Sequence, residues 1–203
     1  MYKKILIVSD YIDSDLGGIE TYIYQVKKIL QKQWFEIKIV WYKTKKSKFK
    51  KLFFLLLSFF NIHWFFKLRK TIKNFKPDII RLHSIARAFW PIWILPIKFF
   101  NWKTLIMYHD LGYFHPFASN VTEEKQLVLP FTFKWWIKSL KNYCFLNKIY
   151  WIFKYFKLYF LKKILIKYVD IHIVPSDFMV DILKKRWIKK KKIRVLKHFI
   201  LQE

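Results

Sequence analysis

From one end to the other, short apolar runs of strand character alternate with amphipathic stretches of helical period, and this alternation confines the chain to an α/β architecture built on a parallel sheet. Strand character falls on residues 3–9, 35–42 (FEIKIVWY), 78–83 (DIIRLH), 103–109 (KTLIMYH), 170–175 (DIHIVP) and 193–196 (IRVL). Helical patterns fill 18–32, 51–74, 86–100 in spite of Pro91 and Pro96, 134–168 and 177–186, while 111–133 is the least regular stretch. The order predicts a doubly wound, mainly parallel, Rossmann-like sheet. One domain over 1–203 is expected: 54% hydrophobic content is ample for a core, and six prolines and three glycines leave no linker of that composition.

The formal charge of +27 points first to nucleic acid or an anionic membrane. Most of the excess is lysine, accompanied by much Phe, Ile, Tyr and Asn, a set favoured by A/T-rich codons. Lysine is also the poorer choice for bidentate recognition of bases. With no RNP, helix-turn-helix or zinc signature present, no specific nucleic-acid partner is expected. A basic face beside exposed aromatics does suit anionic lipid headgroups. The run 52–66 (LFFLLLSFFNIHWFF) is too short to span a bilayer, so it reads either as a helix covering the sheet or as one partly inserted in a membrane surface, and 141–167 invites the same two readings. The single Cys144 rules out an intrachain disulfide framework and a cysteine-based zinc site, and the N-terminus carries no signal-peptide pattern, so a cytoplasmic location is expected, with peripheral attachment to the inner membrane face as an option.

Tryptophan and glycine are out of proportion. Ten tryptophans accompany three glycines, where glycine averages about 7% of residues. Trp34 follows the helical ILQKQ and Trp187 follows DILKKR, both positions where a chain usually turns through a left-handed residue and favours glycine. Two readings stand: these are UGA codons read as Trp in place of the Gly of a reassigned code, or they are tryptophans filling an aromatic-rich core.

Chemistry concentrates where the strands end. In KILIVSDYIDSDLGGIET (4–21) a strand leads through an acidic loop to Gly17 and Gly18, which open a helix. Glycine lets backbone N–H groups approach a ligand, and the helix aims its positive end at the same place, which suits a phosphate or a sugar diphosphate. No Gly-Lys-Ser/Thr or GxGxxG is present, and a plain strand-to-helix connection remains the alternative. Ligands of open α/β sheets bind beyond the carboxyl ends of the strands. There the sequence places Ser9, Asp10, Asp13 and Asp15, then His83 and Ser84, then His109, Asp110 and Gly112, then Ser176 and Asp177. Two histidines at equivalent strand ends are expected to face one cleft. Asp13-Ser14-Asp15 has the spacing of a divalent-ion site, but loop aspartates more often cap helices; no metal is expected. Ser176 reads as an N-cap, and no G-x-S-x-G elbow supports a Ser/His/Asp triad.

Taken in order, GGIETYIYQVKKIL, KPDIIRLHS, YHD, YVDIHIVPSDFMVDILKKR and IRVLKHFI resemble the N-terminal half of family 4 glycosyltransferases of the GT-B fold. The resemblance implies an acceptor-binding domain of a retaining, metal-independent enzyme that takes a nucleotide-diphosphate sugar as donor and a sugar or lipid-linked acceptor, with no further cofactor. It places Gly17 and Gly18 against the donor diphosphate and His109 at the reacting centre, with Asp110, Glu20, His83 and Ser84 as weaker correspondences. The family's donor domain, with its spaced pair of glutamates, has no counterpart here: the glutamates at 20, 36, 123, 124 and 203 lack that spacing. That domain is expected on a continued or separate chain. A truncated binding module without turnover, or a basic surface-binding α/β domain, is the alternative.

Overall fold

A computed structural model describes residues 3–9, 18–41, 62–83, 85, 95–98, 102–109, 113, 145–185 and 188–197. In chain order these form β1 (Lys4–Ser9), α1 (Gly18–Lys32), β2 (Glu36–Trp41), α2 (Ile62–Phe75), β3 (Ile79–His83), α3 (Leu95–Lys98), β4 (Lys103–Met107), α4 (Phe145–Tyr168), β5 (Ile171–Val174), α5 (Asp177–Lys185), a 3-10 turn (Lys190–Lys192) and β6 (Ile193–Val195). Residues 51–61, 86–94 and 134–144 of the expected helices lie outside the described residues. The strands make one six-stranded sheet in the order β2-β1-β3-β4-β5-β6, and every neighbouring pair is parallel.

Period-2 alternation splits the core between the two faces. On one face Leu6, Val8, Ile80, Leu82, Ile106 and Val174 pack against Leu68 and Ile72 of α2, Leu161 and Leu165 of α4, and Ile182 and Leu183 of α5. The opposite face carries Ile5, Ile7 and Met107, covered by Tyr22, Ile23 and Val26 of α1. Helices on both faces make the fold doubly wound, with α1 lying over the central strands. Each fully buried Ile or Leu here contributes about 1.5–3 kcal/mol of transfer free energy.

Two aspartates fix strand starts in the same way. Asp78 accepts from the Lys4 N–H at 2.7 Å, and its own N–H donates to the Lys4 carbonyl at 2.8 Å. Asp170 repeats this with Thr104, at 2.8 and 3.0 Å. The side chain thus continues the ladder one step before the strand begins, tying β3 to β1 and β5 to β4.

The end of α1 is a Schellman turn. Phe35 N–H donates to the Leu30 carbonyl and Trp34 N–H to the Gln31 carbonyl, both at 3.1 Å. Leu30 and Phe35 supply the accompanying apolar contact by packing on one cluster. This geometry requires a left-handed residue, and Trp34 adopts it with φ 64°. The indole is 74% exposed, so Trp34 does not fill the core. Trp187 lies outside the described residues. The bond beyond it, Ile188 N–H to the Leu183 carbonyl at 3.2 Å, closes the same six-residue span as Phe35 to Leu30.

Candidate functional site

β2 lies on one side of β1 and β3 on the other, so the winding reverses between β1 and β3 and a crevice opens at their carboxyl ends. Register places Ser9, the last residue of β1, opposite His83, the last of β3, and His83 opposite Met107 of β4. Ser9 and His83 fall on the α1 face, as does His109 two residues beyond Met107. Topology alone therefore gathers the strand-end polar residues beneath the start of α1.

The two histidines meet directly. His83 Nδ1 and His109 Nε2 lie 2.8 Å apart, with the rings stacked at 5.1 Å and inclined by 29°. Tyr22, on the buried face of α1, sets its ring edge-on to His109 at 5.3 Å and tilted to His83 at 6.0 Å. Its hydroxyl accepts from Arg81 Nη2 at 2.9 Å, and the guanidinium lies 5.7 Å from the centre of its ring. Ser9 Oγ is fully buried and has no hydrogen-bond partner among the described residues. His83 is likewise fully buried, whereas His109 is half-buried. One proton can occupy the space between the two imidazoles, so one ring donates and the other accepts.

At the start of α1, Gly18 has no packing neighbour among the described residues where a side chain would stand: a Cβ there would meet none of them within 4 Å. Its backbone is not in the left-handed region either. Among the described residues neither packing nor conformation demands glycine at this position, which opens the turn whose N–H groups a helix leaves unpaired. Glu20, in that same turn, is 3% exposed. Gly17, Ser84, Asp110 and Gly112, together with Asp10, Asp13 and Asp15 of the acidic loop, lie outside the described residues.

Tyr22 and Arg81 were not singled out from the sequence. Arg81 had left a signal, a lone charge inside the apolar DIIRLH, two residues before His83 and so on the same face. Tyr22 had none beyond its place on the apolar stripe of α1.

A second polar pair backs the sheet's other face. Tyr108 and His172 stack with rings 7° from parallel, and Tyr108 Oη lies 2.8 Å from His172 Nδ1. Burial, reinforced by the nearby Lys192 ammonium, pushes His172 down to about 4. Burial also raises the Tyr108 hydroxyl far above its usual range. Near neutral pH both groups are therefore uncharged, and the imidazole tautomer decides which of them donates. Tyr113 stands edge-on to Tyr108 at 5.0 Å and its hydroxyl accepts from the Ile85 N–H at 2.8 Å, joining the segments that follow β3 and β4. Ser176 caps α5, its Oγ accepting from the Met179 N–H at 3.4 Å.

Among the described residues no three His, Cys, Asp or Glu side chains are grouped to hold a metal ion, and no helix is long and apolar enough to cross a membrane. Phe156, Tyr159 and Phe160 of α4 are exposed, and Lys163 and Lys167 continue the same helical stripe.

The family model described as Glycosyltransferase Family 4 matches residues 16–200. No curated protein matches the chain. Among solved structures, a glycosyltransferase from Rickettsia africae ESF-5 is similar at 17% identity and a TM-score of 0.40, over 97% of this chain and 43% of that one. The chain thus spans less than half the length of that neighbour. The family match takes in α1, both crevice histidines and the strands from β2 to β6, and on that match the chain belongs to glycosyltransferase family 4.

Proposed function

We propose that this chain is the acceptor-side half of a sugar transferase that uses a nucleotide-diphosphate sugar and proceeds with retention and without a metal. The observation that carries the reading is the His83–His109 pair at the sheet's reversal point, below the uncrowded first turn of α1. Backbone N–H groups at Gly17 and Gly18 would face the leaving diphosphate, where fixed donors and a helix dipole offset the developing negative charge. In this arrangement His109 positions the sugar through a hydroxyl hydrogen bond. Asp110, Glu20 and Ser84 are proposed to assist at the same centre. A second α/β domain, on a continued or separate chain, would grip the nucleotide and complete the centre.

Titrating the nitrogen-15-labelled chain with inorganic pyrophosphate tests the cradle. The Gly18 and Ile19 amide resonances are expected to shift in a saturable way. Shifts spread over the surface lysines, with none at the start of α1, would overturn it. Turnover of UDP- or GDP-sugars is expected only when a donor domain is supplied, so hydrolysis by this chain alone would refute the half-enzyme reading.

The exposed Phe156, Tyr159 and Phe160 with Lys163 and Lys167 favour a second property, peripheral attachment to an anionic membrane where lipid-linked acceptors reside. Flotation with anionic but not neutral liposomes, diminished by Phe156→Ser with Phe160→Ser, is the expected result. Equal flotation with both lipids would remove the electrostatic part of the idea.

A further inference from the structure

We infer that His83 is a positioning residue that decides which nitrogen of His109 carries its proton and limits the pair to one added proton. The functional meaning of this rests on the role proposed for His109, but the pairing itself can be read without any transferase activity.

The two histidines are not equivalent. His83 ends a strand, is fully buried, and is held in register with Ser9 on one side and Met107 on the other. Tyr22 packs on its ring, and Arg81 anchors the Tyr22 hydroxyl. His109 lies beyond the end of β4 and is half-buried. Tyr22 contacts both rings, so what distinguishes them is burial: a fully enclosed ring that ends a strand faces a half-buried one beyond its strand.

At 2.8 Å the contact between His83 Nδ1 and His109 Nε2 needs one hydrogen and one lone pair. If His83 donates, a neutral His109 must carry its hydrogen on Nδ1 and can donate from there. If His83 accepts, His109 holds its hydrogen on Nε2 and its Nδ1 is an acceptor. One added proton makes one ring a donor at both nitrogens while the other accepts. A second would set two N–H groups against each other, so the pair titrates in linked steps. Among the described residues, Tyr22 of α1 contacts both rings and holds Arg81 of β3 on its hydroxyl, Ser9 of β1 stands in register with His83, and Glu20 is buried in the first turn of α1. The positive guanidinium on Tyr22 further opposes double protonation.

Long-range proton–nitrogen NMR of the histidine-labelled full chain tests this across pH. In the wild type, His83 Nδ1 and His109 Nε2 are expected to show complementary protonated and bare signals, and both residues to report the first added proton in one linked step, with the second displaced to lower pH. His83→Gln, whose carboxamide can donate or accept, should keep His109 Nε2 hydrogen-bonded whichever tautomer it takes. His83→Phe should return it to the mixed tautomers and single-step titration of an unpaired imidazole. If His109 in the wild type already populates both tautomers, or if its tautomer and titration are unchanged in His83→Phe, the inference is wrong. Should His83→Phe lose amide dispersion, His109→Gln is read at His83 instead, where loss of the linked step is expected and its persistence refutes the pairing. Failure of pyrophosphate to bind would undo the proposed cradle yet leave these outcomes unaffected.

Discussion

At Trp34 the backbone and the side chain have opposite requirements. The Schellman turn needs a left-handed residue, and a Cβ there costs about 1–2 kcal/mol against glycine, while the largely exposed indole recovers little by packing. Trp34→Gly is expected to raise stability by about 1 kcal/mol, with part of the gain offset by the freer unfolded chain. Urea denaturation reads this directly, and a lower midpoint would show that the indole packs more than its exposure suggests. His172 gives a prediction of opposite character. Its folded value lies near 4 against 6.5 for the ordinary side chain, so the folded state favours the neutral ring. Stability from this group is fully present above about pH 6.5, falls as pH drops because the unfolded chain takes up the proton first, and levels off below about pH 4. The whole loss is roughly 3 kcal/mol. Denaturation midpoints followed from pH 7 to 4 should show it, and His172→Gln should flatten that slope. An equally steep slope in the variant would place the acid sensitivity elsewhere.

The strands owe their starting points to aspartates as much as to apolar period. Asp78 and Asp170 each precede a strand and each exchange two hydrogen bonds with the neighbouring strand's first residues. Because the bonds to Thr104 are the less exposed, removing the carboxylate there leaves an amide short of a partner. Asp170→Ala is expected to cost about 1–2 kcal/mol, and Asp170→Asn less, because its amide oxygen still accepts. Hydrogen exchange at the Thr104 amide should quicken in the alanine variant, and unchanged protection would assign that amide another acceptor. Most element positions were legible beforehand: α1 begins and ends where the pattern places it, and each strand falls within its apolar run. The aspartates read only as the first residues of their strand runs, because the partners they bond lie 74 and 66 positions away.

Over the whole molecule, 40 basic residues face 13 acidic ones, and like charges repel more when the chain is compact. Adding salt to about 0.15 M shortens the screening length to roughly 8 Å. The urea midpoint is therefore expected to rise with sodium chloride, and a midpoint that falls would mean that attractive pairs outweigh repulsion. At this scale the limits of reading along the chain also become plain. The alternation of strand and helix, the two strand-end histidines, the glycines opening α1 and the glycine-like position of Trp34 are local properties, written in period and turn chemistry within a few residues. That β3 lies beside β1 and not β2, that His83 bonds to His109, and that α1 brings the Tyr22 hydroxyl to Arg81 were settled only in three dimensions. The last contact joins residues 59 positions apart. Such pairings depend on strand order and register, which follow from the summed packing of both faces of the sheet, and no single stretch of sequence carries that sum.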